Sequence, residues 1–420
     1  MKKNVDVQTQ PSCEDGLQSN LISVKSALEK ILGMITPISK TESVPLRDAL
    51  GRVLANNLHS PIDVPNHTNA AMDGYAVRST DLEAQGLAVI GTAWAGRAFE
   101  GHLEPGQCGR IMTGAVMPTN SDTVIMQEHV ERHGDTVYLA SGQKPGQHVR
   151  QAGEDLTAGS VALFGKQRLF PAQLGVTASL GIGQLTVLQK PRVAFFSNGD
   201  ELRPINEPLA IGEVYDSNRY TLHGMLTRVG ADIVDLGVVP DNPKQLQETF
   251  ERAASNADLV ITSAGASVGD ADYVHHILKK IGEVGFWKIA MKPGRPLSVG
   301  KIGSSTFFGL PGNPVSVMVT FYQFVLPALR KLSGEANISS FRCSARVTNA
   351  LKKRPGRTEF QRGILTLDDD GMLVVKNTGE QGSGILTSMN DANCFVILPA
   401  DSAGVSVGDT VTVEPFSGLI

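Results

Sequence analysis

The sequence predicts an α/β multidomain protein built on a doubly wound, mainly parallel sheet domain, and three observations carry that prediction. From Arg192 to Leu332, short apolar, β-branched segments alternate with helical patterns, which is the rhythm of a parallel sheet covered on both faces. Before this region turn residues break the chain into brief strands, and after Gly334 helical patterns stop. With 420 residues, 41% of them hydrophobic, the chain is too long for a single core. The expected division is a flexible tail at 1–20, a helical/β N-terminal linker domain from 21–60 plus 150–190, and a β-rich insertion at 61–149. The sheet domain follows at 191–335, and a small C-terminal β-barrel at 336–420.

Taken in order, the polar start MKKNVDVQTQPSCEDGLQSN reads as a tail. Leu21, Val24, Leu28, Ile31 and Leu32 recur at helical spacing with Pro37 shortly beyond, so an amphipathic helix opens the ordered chain. A second short helix near 44–55 is expected to pack beside it. Pro61 to Arg78 reads as extended or looped. In the insertion, DTVIMQEHVER and DTVYLAS are separated by Gly134-Asp135, which suits a tight hairpin. Helical pattern returns at Pro171–Leu180. The sheet domain then runs VAFFS, NRYTLHGMLTRVG, DIVDLG, PKQLQETFERAAS, DLVITS, ADYVHHILKKIG, FWKIAMK, TFFGL and PVSVMVTFYQFVLPALRKL. FRCSARV, EFQRGILTL, MLVVKNT, CFVILPA and TVTVEPF supply the barrel strands.

Several function classes are excluded early. The formal net charge is −4, and Lys352, Lys353 and Arg354 form the longest basic run, which argues against a nucleic-acid partner. Cys13, Cys108, Cys343 and Cys394 include no C-x-x-C pair, so neither a disulfide framework nor a zinc knuckle is indicated. No apolar run is long enough to span a membrane and the start lacks a signal-peptide core, so a cytoplasmic protein is expected. Gly265-Ala266-Ser267-Val268-Gly269 matches the G-x-S-x-G elbow of α/β-hydrolases. The last histidines, His275 and His276, lie too soon after it to complete a triad. Neither a Walker A sequence nor H-E-x-x-H occurs.

What remains is one set of loops. Ligands of doubly wound sheets sit beyond the carboxyl ends of the strands, where the sequence places FFSNGDEL, SAGASVGDADY, AMKPGRP and GLPGNP. Pro314 suits a first helical turn, so the free backbone N–H groups of Gly312, Asn313 and the helix start are expected to point toward an anion. Ser267 and Gly269 belong to the same ligand-loop set. Lys288, Lys292 and Arg295 add cationic charge, with Lys288 and Lys292 on one strand face if the strand continues. Asp200, Glu201, Asp216, Asp241, Asp270 and Asp272 fall after strands or at helix starts, where two or three carboxylates can converge on Mg²⁺. Asp216 and Asp241 also read as plain helix caps. Asp73 in TNAAMDGY, Thr113 in Met112-Thr113-Gly114-Ala115, and Asp155 in Gly153-Glu154-Asp155 cannot be placed beside the sheet by pattern alone.

Together, NAAMDGYAVR, RIMTGAVMP, GEDL, FSNGDEL, YDSN, SVGDADY, FWKIAMKPGRP, GLPGNPVS and TEFQRG resemble the molybdopterin molybdenumtransferase family, the MoeA-type and gephyrin E-domain proteins. The resemblance runs from about residue 21 to 416, with AMDGYA, SVGDAD and GLPGNP as its most specific elements. It implies a homodimer with an active site shared between subunits, which takes adenylylated molybdopterin and molybdate with Mg²⁺ and releases AMP. It further implies that Asp73 and Thr113 reach the site from the partner subunit, with Asp155 near a domain junction. Glu201, Asp241 and Asp272 match essential acids, Lys288 and Lys292 active-site lysines, Pro311 and Pro314 ligand-loop prolines, and Arg362 and Ser383 cleft positions. Glu201 and Asp272 are the expected metal ligands, and the two lysines the expected holders of molybdate or phosphate. Ala264, Ala266 and Asn198 depart from the family's usual residues. A molybdopterin adenylyltransferase and a non-catalytic molybdopterin-binding scaffold are the competing readings. An adenylyltransferase and molybdoenzyme maturation proteins are the expected partners.

Overall fold

The structure is a computed structural model that describes residues 21–264 and 273–416. Its centre is a six-stranded sheet. Asp232–Val239, Arg192–Asn198, Leu259–Ser263 and Ser305–Leu310 lie parallel in that order. Pro296–Ile302 and Glu283–Lys288 extend the sheet antiparallel at one side. The apolar runs are continuous because both faces are covered. Val193, Phe195 and Ile261 pack one way against Leu222, Leu226 and Phe324, while Ala194, Phe196 and Val260 pack the other way against Leu246, Phe250 and Ile277.

Pro296–Ile302 is absent from the sequence-based list of strands. It forms a two-residue hairpin with Ser305–Leu310 around Gly303-Ser304, and the Gly-Ser pair between apolar runs is the signal that marks it. The strand expected to carry Lys288 and Lys292 on one face does not continue. Lys288 ends Glu283–Lys288 in the central sheet, whereas Met291–Lys292 pairs with Thr358 and Glu359 of the C-terminal region. The helical run after Pro314 is Pro314–Thr320, a wider turn over Phe321–Val325, then Leu326–Leu332. Pro327 explains the wide turn, since a proline ring would press on the carbonyl four residues back in a regular helix.

The opening helix, Val24–Met34, is capped by Ser23, whose hydroxyl accepts from the Ser26 N–H at 3.1 Å. It buries Ala27 and Ile31 in the central core, which also takes in Phe360, Met389 and Phe395 from the C-terminal region. The segment expected to form a second helix beside it does something else. Thr41–Pro45 is a strand paired with Gln184–Leu188, and only Leu46–Ala49 turns as a short 3₁₀ helix. These residues share a separate core with Leu163, Leu169 and Val187. Pro45 and a strand partner far along the chain override the helical pattern.

The insertion holds a six-stranded sheet in the order Thr123–Met126, Gly74–Val77, Gln107–Ile111, Leu87–Ala93, Thr136–Leu139, Val130–His133. Gly134-Asp135 makes the expected tight turn. At the C-terminal end Thr358–Leu367, Leu373–Asn377, Cys343–Val347, Thr410–Pro415 and Cys394–Leu398 pair in sequence, and the last returns to the first, closing a five-stranded barrel. Closure removes the edge strands that would otherwise be exposed. Among the described residues no helix is long and apolar enough to cross a membrane.

Candidate functional site at the carboxyl ends of the central strands

The two middle strands of the central sheet end in hydroxyl and amide side chains, and these build the site. Ser263 Oγ donates to Ser197 Oγ at 2.9 Å, and Thr262 Oγ1 donates to Asn198 Oδ1 at 3.0 Å, all within the protein. A buried amide needs both of its ends satisfied. Asn198 meets this by donating its Nδ2 to Asp241 Oδ1 at 3.3 Å, and the Asp241 N–H donates to Asp200 Oδ1 at 3.1 Å. A chain of polar contacts thus leads from the buried strand ends to exposed carboxylates.

Glu201 stands at the outer end of this shelf. Gly199 has φ +145°, a backbone conformation that favours glycine, and Glu201 Oε2 folds back to within 2.5 Å of where its Cβ would lie. The Val214 N–H returns to the Glu201 carbonyl at 2.9 Å, bringing Leu202–Arg203 and Val214–Tyr215 together. Asp216 then caps the helix Ser217–Val229, accepting from the Arg219 N–H at 3.1 Å, so the capping role expected for it is real. Asn218 Nδ2 donates to the Gly312 carbonyl at 2.8 Å and ties this helix to the GLPGNP loop.

That loop is joined in turn to the C-terminal region. Asn313 Nδ2 donates to Ser383 Oγ at 3.1 Å, and the Val315 N–H donates to the Ser383 carbonyl at 3.2 Å. One N–H of the helix start is therefore already taken by the protein. Pro311 is buried, while Gly312 and Asn313 are exposed and Pro314 half-buried. Arg362 lies inside, 1% exposed, with Nε on Ser388 Oγ at 3.0 Å and Nη2 on the Gly382 carbonyl at 3.0 Å. Burial pulls its guanidinium down to about 10. Its hydrogen bonds hold the loop that carries Ser383, so its influence on the shelf passes through that loop.

The other expected residues divide into two groups. Lys292 Nζ lies 3.4 Å from Glu359 Oε1, and Glu359 Oε2 accepts from Gln361 Nε2 at 3.1 Å, so this lysine sits where the central domain meets the barrel. Lys288 has an exposed side chain, and the half-buried Arg295 accepts the Ile289 N–H on its carbonyl at 2.8 Å. In the insertion, Thr113 donates to Asp73 Oδ1 from its N–H at 2.7 Å and its hydroxyl at 2.6 Å. These bonds lower the Asp73 carboxyl below its ordinary value. Asp155 is exposed and its N–H donates to the Val64 carbonyl at 3.0 Å. Among the described residues, the hydrogen bonds of Asp73, Thr113 and Asp155 stay within residues 64–155.

Ser267, Gly269, Asp270 and Asp272, with the rest of 265–272, lie outside the described residues. The residue leading into that stretch, Ala264, has φ +70°, a left-handed backbone that costs a non-glycine residue about 1 kcal/mol or more. Its Cβ lies 3.7 Å from where a side chain on Gly312 would begin, so it faces the GLPGNP loop. Among the described residues no three His, Cys, Asp or Glu side chains gather as a metal site. Thr262, Ser263 and Asn218 were not singled out in the sequence. Two hydroxyl residues ending the apolar run LVITS, and the Asn of YDSN, are the signals that point to them.

Three family models cover the chain in order. Residues 22–181 match the MoeA N-terminal region (domain I and II), 194–331 a probable molybdopterin binding domain, and 344–416 the MoeA C-terminal region (domain IV). A molybdopterin molybdenumtransferase of Haemophilus influenzae is 42% identical over 95% of this chain and 100% of that protein. The chain belongs to the MoeA family. The molybdopterin molybdenumtransferase of a Nostoc species is 37% identical over 93% of each chain. A molybdopterin biosynthesis MoeA protein of Pyrococcus horikoshii superposes with a TM-score of 0.83 at 31% identity, covering 94% of this chain and 100% of that one. In this MoeA-family chain, the shelf of Asn198, Asp241, Asn218 and Gly312 lies on the stretch matched as the molybdopterin binding domain.

Proposed function

We propose that this protein is a molybdopterin molybdenumtransferase, which inserts molybdenum from molybdate into adenylylated molybdopterin and releases AMP. The family supports the activity, and one observation carries its location: the bonded series from Thr262 through Asn198 and Asp241 to Asp200, facing the loop fixed by Asn218 and Ser383. A pyrophosphate-linked substrate needs fixed polar groups that require no rearrangement as charge develops. Asn198 supplies this by holding Asp241 in one orientation. The exposed Gly312-Asn313 segment offers backbone to the phosphates, and Lys288 and Lys292 neutralise phosphate or molybdate. Molybdate enters here as substrate.

Exposed carboxylate oxygens are hard ligands, and those of Glu201 and Asp241 fit Mg²⁺, with Asp272 as the further expected ligand. The ion would supply positive charge against the phosphates. We also propose a cytoplasmic homodimer in which Asp73, fixed by Thr113, completes the partner's site. That reading is supported by an oriented, exposed carboxylate whose bonds stay within its own unit. Incubation with adenylylated molybdopterin, Mg²⁺ and molybdate tests the activity. Molybdate-stimulated AMP formation is the expected result, whereas pyrophosphate release from molybdopterin and ATP, or binding without AMP formation, would refute it.

A further inference from the structure

A cavity of about 1040 Å³ opens at the opposite end of the sheet from the shelf. Its walls are the amino-terminal starts of the central strands, the segment 36–42, the linker at Gln189 and Lys190, and the hairpin from Lys301 to Thr306. A strand of the length of Arg192–Asn198 separates the two ends by about 20 Å. The cavity is therefore not an extension of the site above, and its volume is that of a small-ligand pocket.

The charges that face it are unevenly matched. Its three acids are all engaged. Glu42 meets the Arg52 guanidinium, Asp232 lies 3.5 Å from Arg192 Nε, and Asp258 Oδ2 accepts the Arg192 N–H at 2.8 Å. Arg192 is the one lining cation used in this way. Lys40, Lys190 and Lys301 have no acid partner among the described residues. The Gln189 N–H donates to the Lys40 carbonyl at 2.9 Å, which keeps the Lys40 and Lys190 segments side by side. Lys301 Nζ donates to Thr306 Oγ1 at 2.9 Å, and burial lowers the affinity of this ammonium for its proton. An ammonium drawn into protein without a counter-charge is unfavourable unless a ligand provides one.

We propose that this cleft binds a multivalent phosphate group, free or carried by a nucleotide, with Lys301, Lys190 and Lys40 as its cationic contacts. Such an anion would bridge the segment 36–42 to the base of the sheet and hold the two together.

Inorganic pyrophosphate and ATP, each titrated calorimetrically into the full-length protein at constant ionic strength, test the site. Wild type is expected to bind pyrophosphate, with at least a tenfold loss in Lys301→Met and Lys190→Met and no loss in Lys376→Met, an exposed lysine of the barrel outside both sites. A tenfold preference for ATP would identify a nucleotide as the source, and equal affinity a bare phosphate. Without ligand, Lys301→Met is expected to melt at the same temperature as wild type or higher, because it removes a half-buried charge that lacks an acid. Absence of binding, binding lost in Lys376→Met but kept in Lys301→Met, or a lower ligand-free melting temperature for Lys301→Met would each overturn the proposal.

Discussion

At the carboxyl ends of the central strands, Thr262, Asn198, Asp241 and Asp200 are joined one to the next, and the surface they make is shaped by hydrogen bonds. At the amino ends of the same strands a large hollow opens, with two of its acids ion-paired, the third bonded to a backbone N–H, and three lysines left over. Depth and chemistry therefore separate in this molecule. The hollow would be chosen by size, but the oriented groups that a phosphate-transfer site needs lie on the shelf. Asp232 and Asp241 make the contrast compact, since they flank one strand, Asp232–Val239, at its opposite ends.

Substituting those two residues should give the largest difference. Asp241→Asn is expected to lower the rate of molybdate-dependent AMP release about 100-fold or more with an unchanged melting temperature, the size of effect seen when one preorganised polar group is lost. Asp232→Asn, on an exposed ion pair, should leave that rate within about twofold. Equal effects from both, read in the same AMP assay, would erase the distinction between the two ends.

A second experiment sharpens the role of the barrel at the shelf. Arg362→Ala removes a buried guanidinium and strands the Gly382 carbonyl and Ser388 hydroxyl, at a cost of about 2–4 kcal/mol in chemical denaturation. Loss of Ser383's anchorage should also raise KM more than it lowers kcat. A variant as stable as wild type would show that the loop does not depend on Arg362.

The smallest expected effect concerns the insertion. Thr113 holds the Asp73 carboxyl below its ordinary value, so the stabilisation from these bonds is complete above the unfolded value near 3.8 and fades as pH falls through the depressed one. Thr113→Val removes the hydroxyl bond and should move Asp73 upward toward 3.8 in an NMR titration. An unmoved midpoint would mean that the Thr113 N–H alone sets it.

Much of this architecture was legible in the sequence because local pattern and tertiary demand agreed. VAFFS, DLVITS and TFFGL carry apolar runs without alternation, as a sheet covered on both faces requires, and Gly134-Asp135 names its own turn. Where the two disagreed, reading failed. A helix is expected near 44–55, but only Leu46–Ala49 turns, because Thr41–Pro45 finds a strand partner far along the chain in Gln184–Leu188. FWKIAMK looks like one strand, yet its two ends pair with different sheets, which no local pattern reveals. At the site, the acids and the GLPGNP loop stand out by composition. The roles of Thr262, Asn198 and Asn218 depend on contacts between residues more than forty positions apart.

Anomalous scattering at the molybdenum edge, from crystals grown with molybdate and AMP, tests the central claim most directly. The account predicts a molybdenum peak beside the shelf bounded by Asp241, Gly312 and Ser383. A single peak in the hollow at the amino ends of the strands, with nothing beside Asp241, would contradict it.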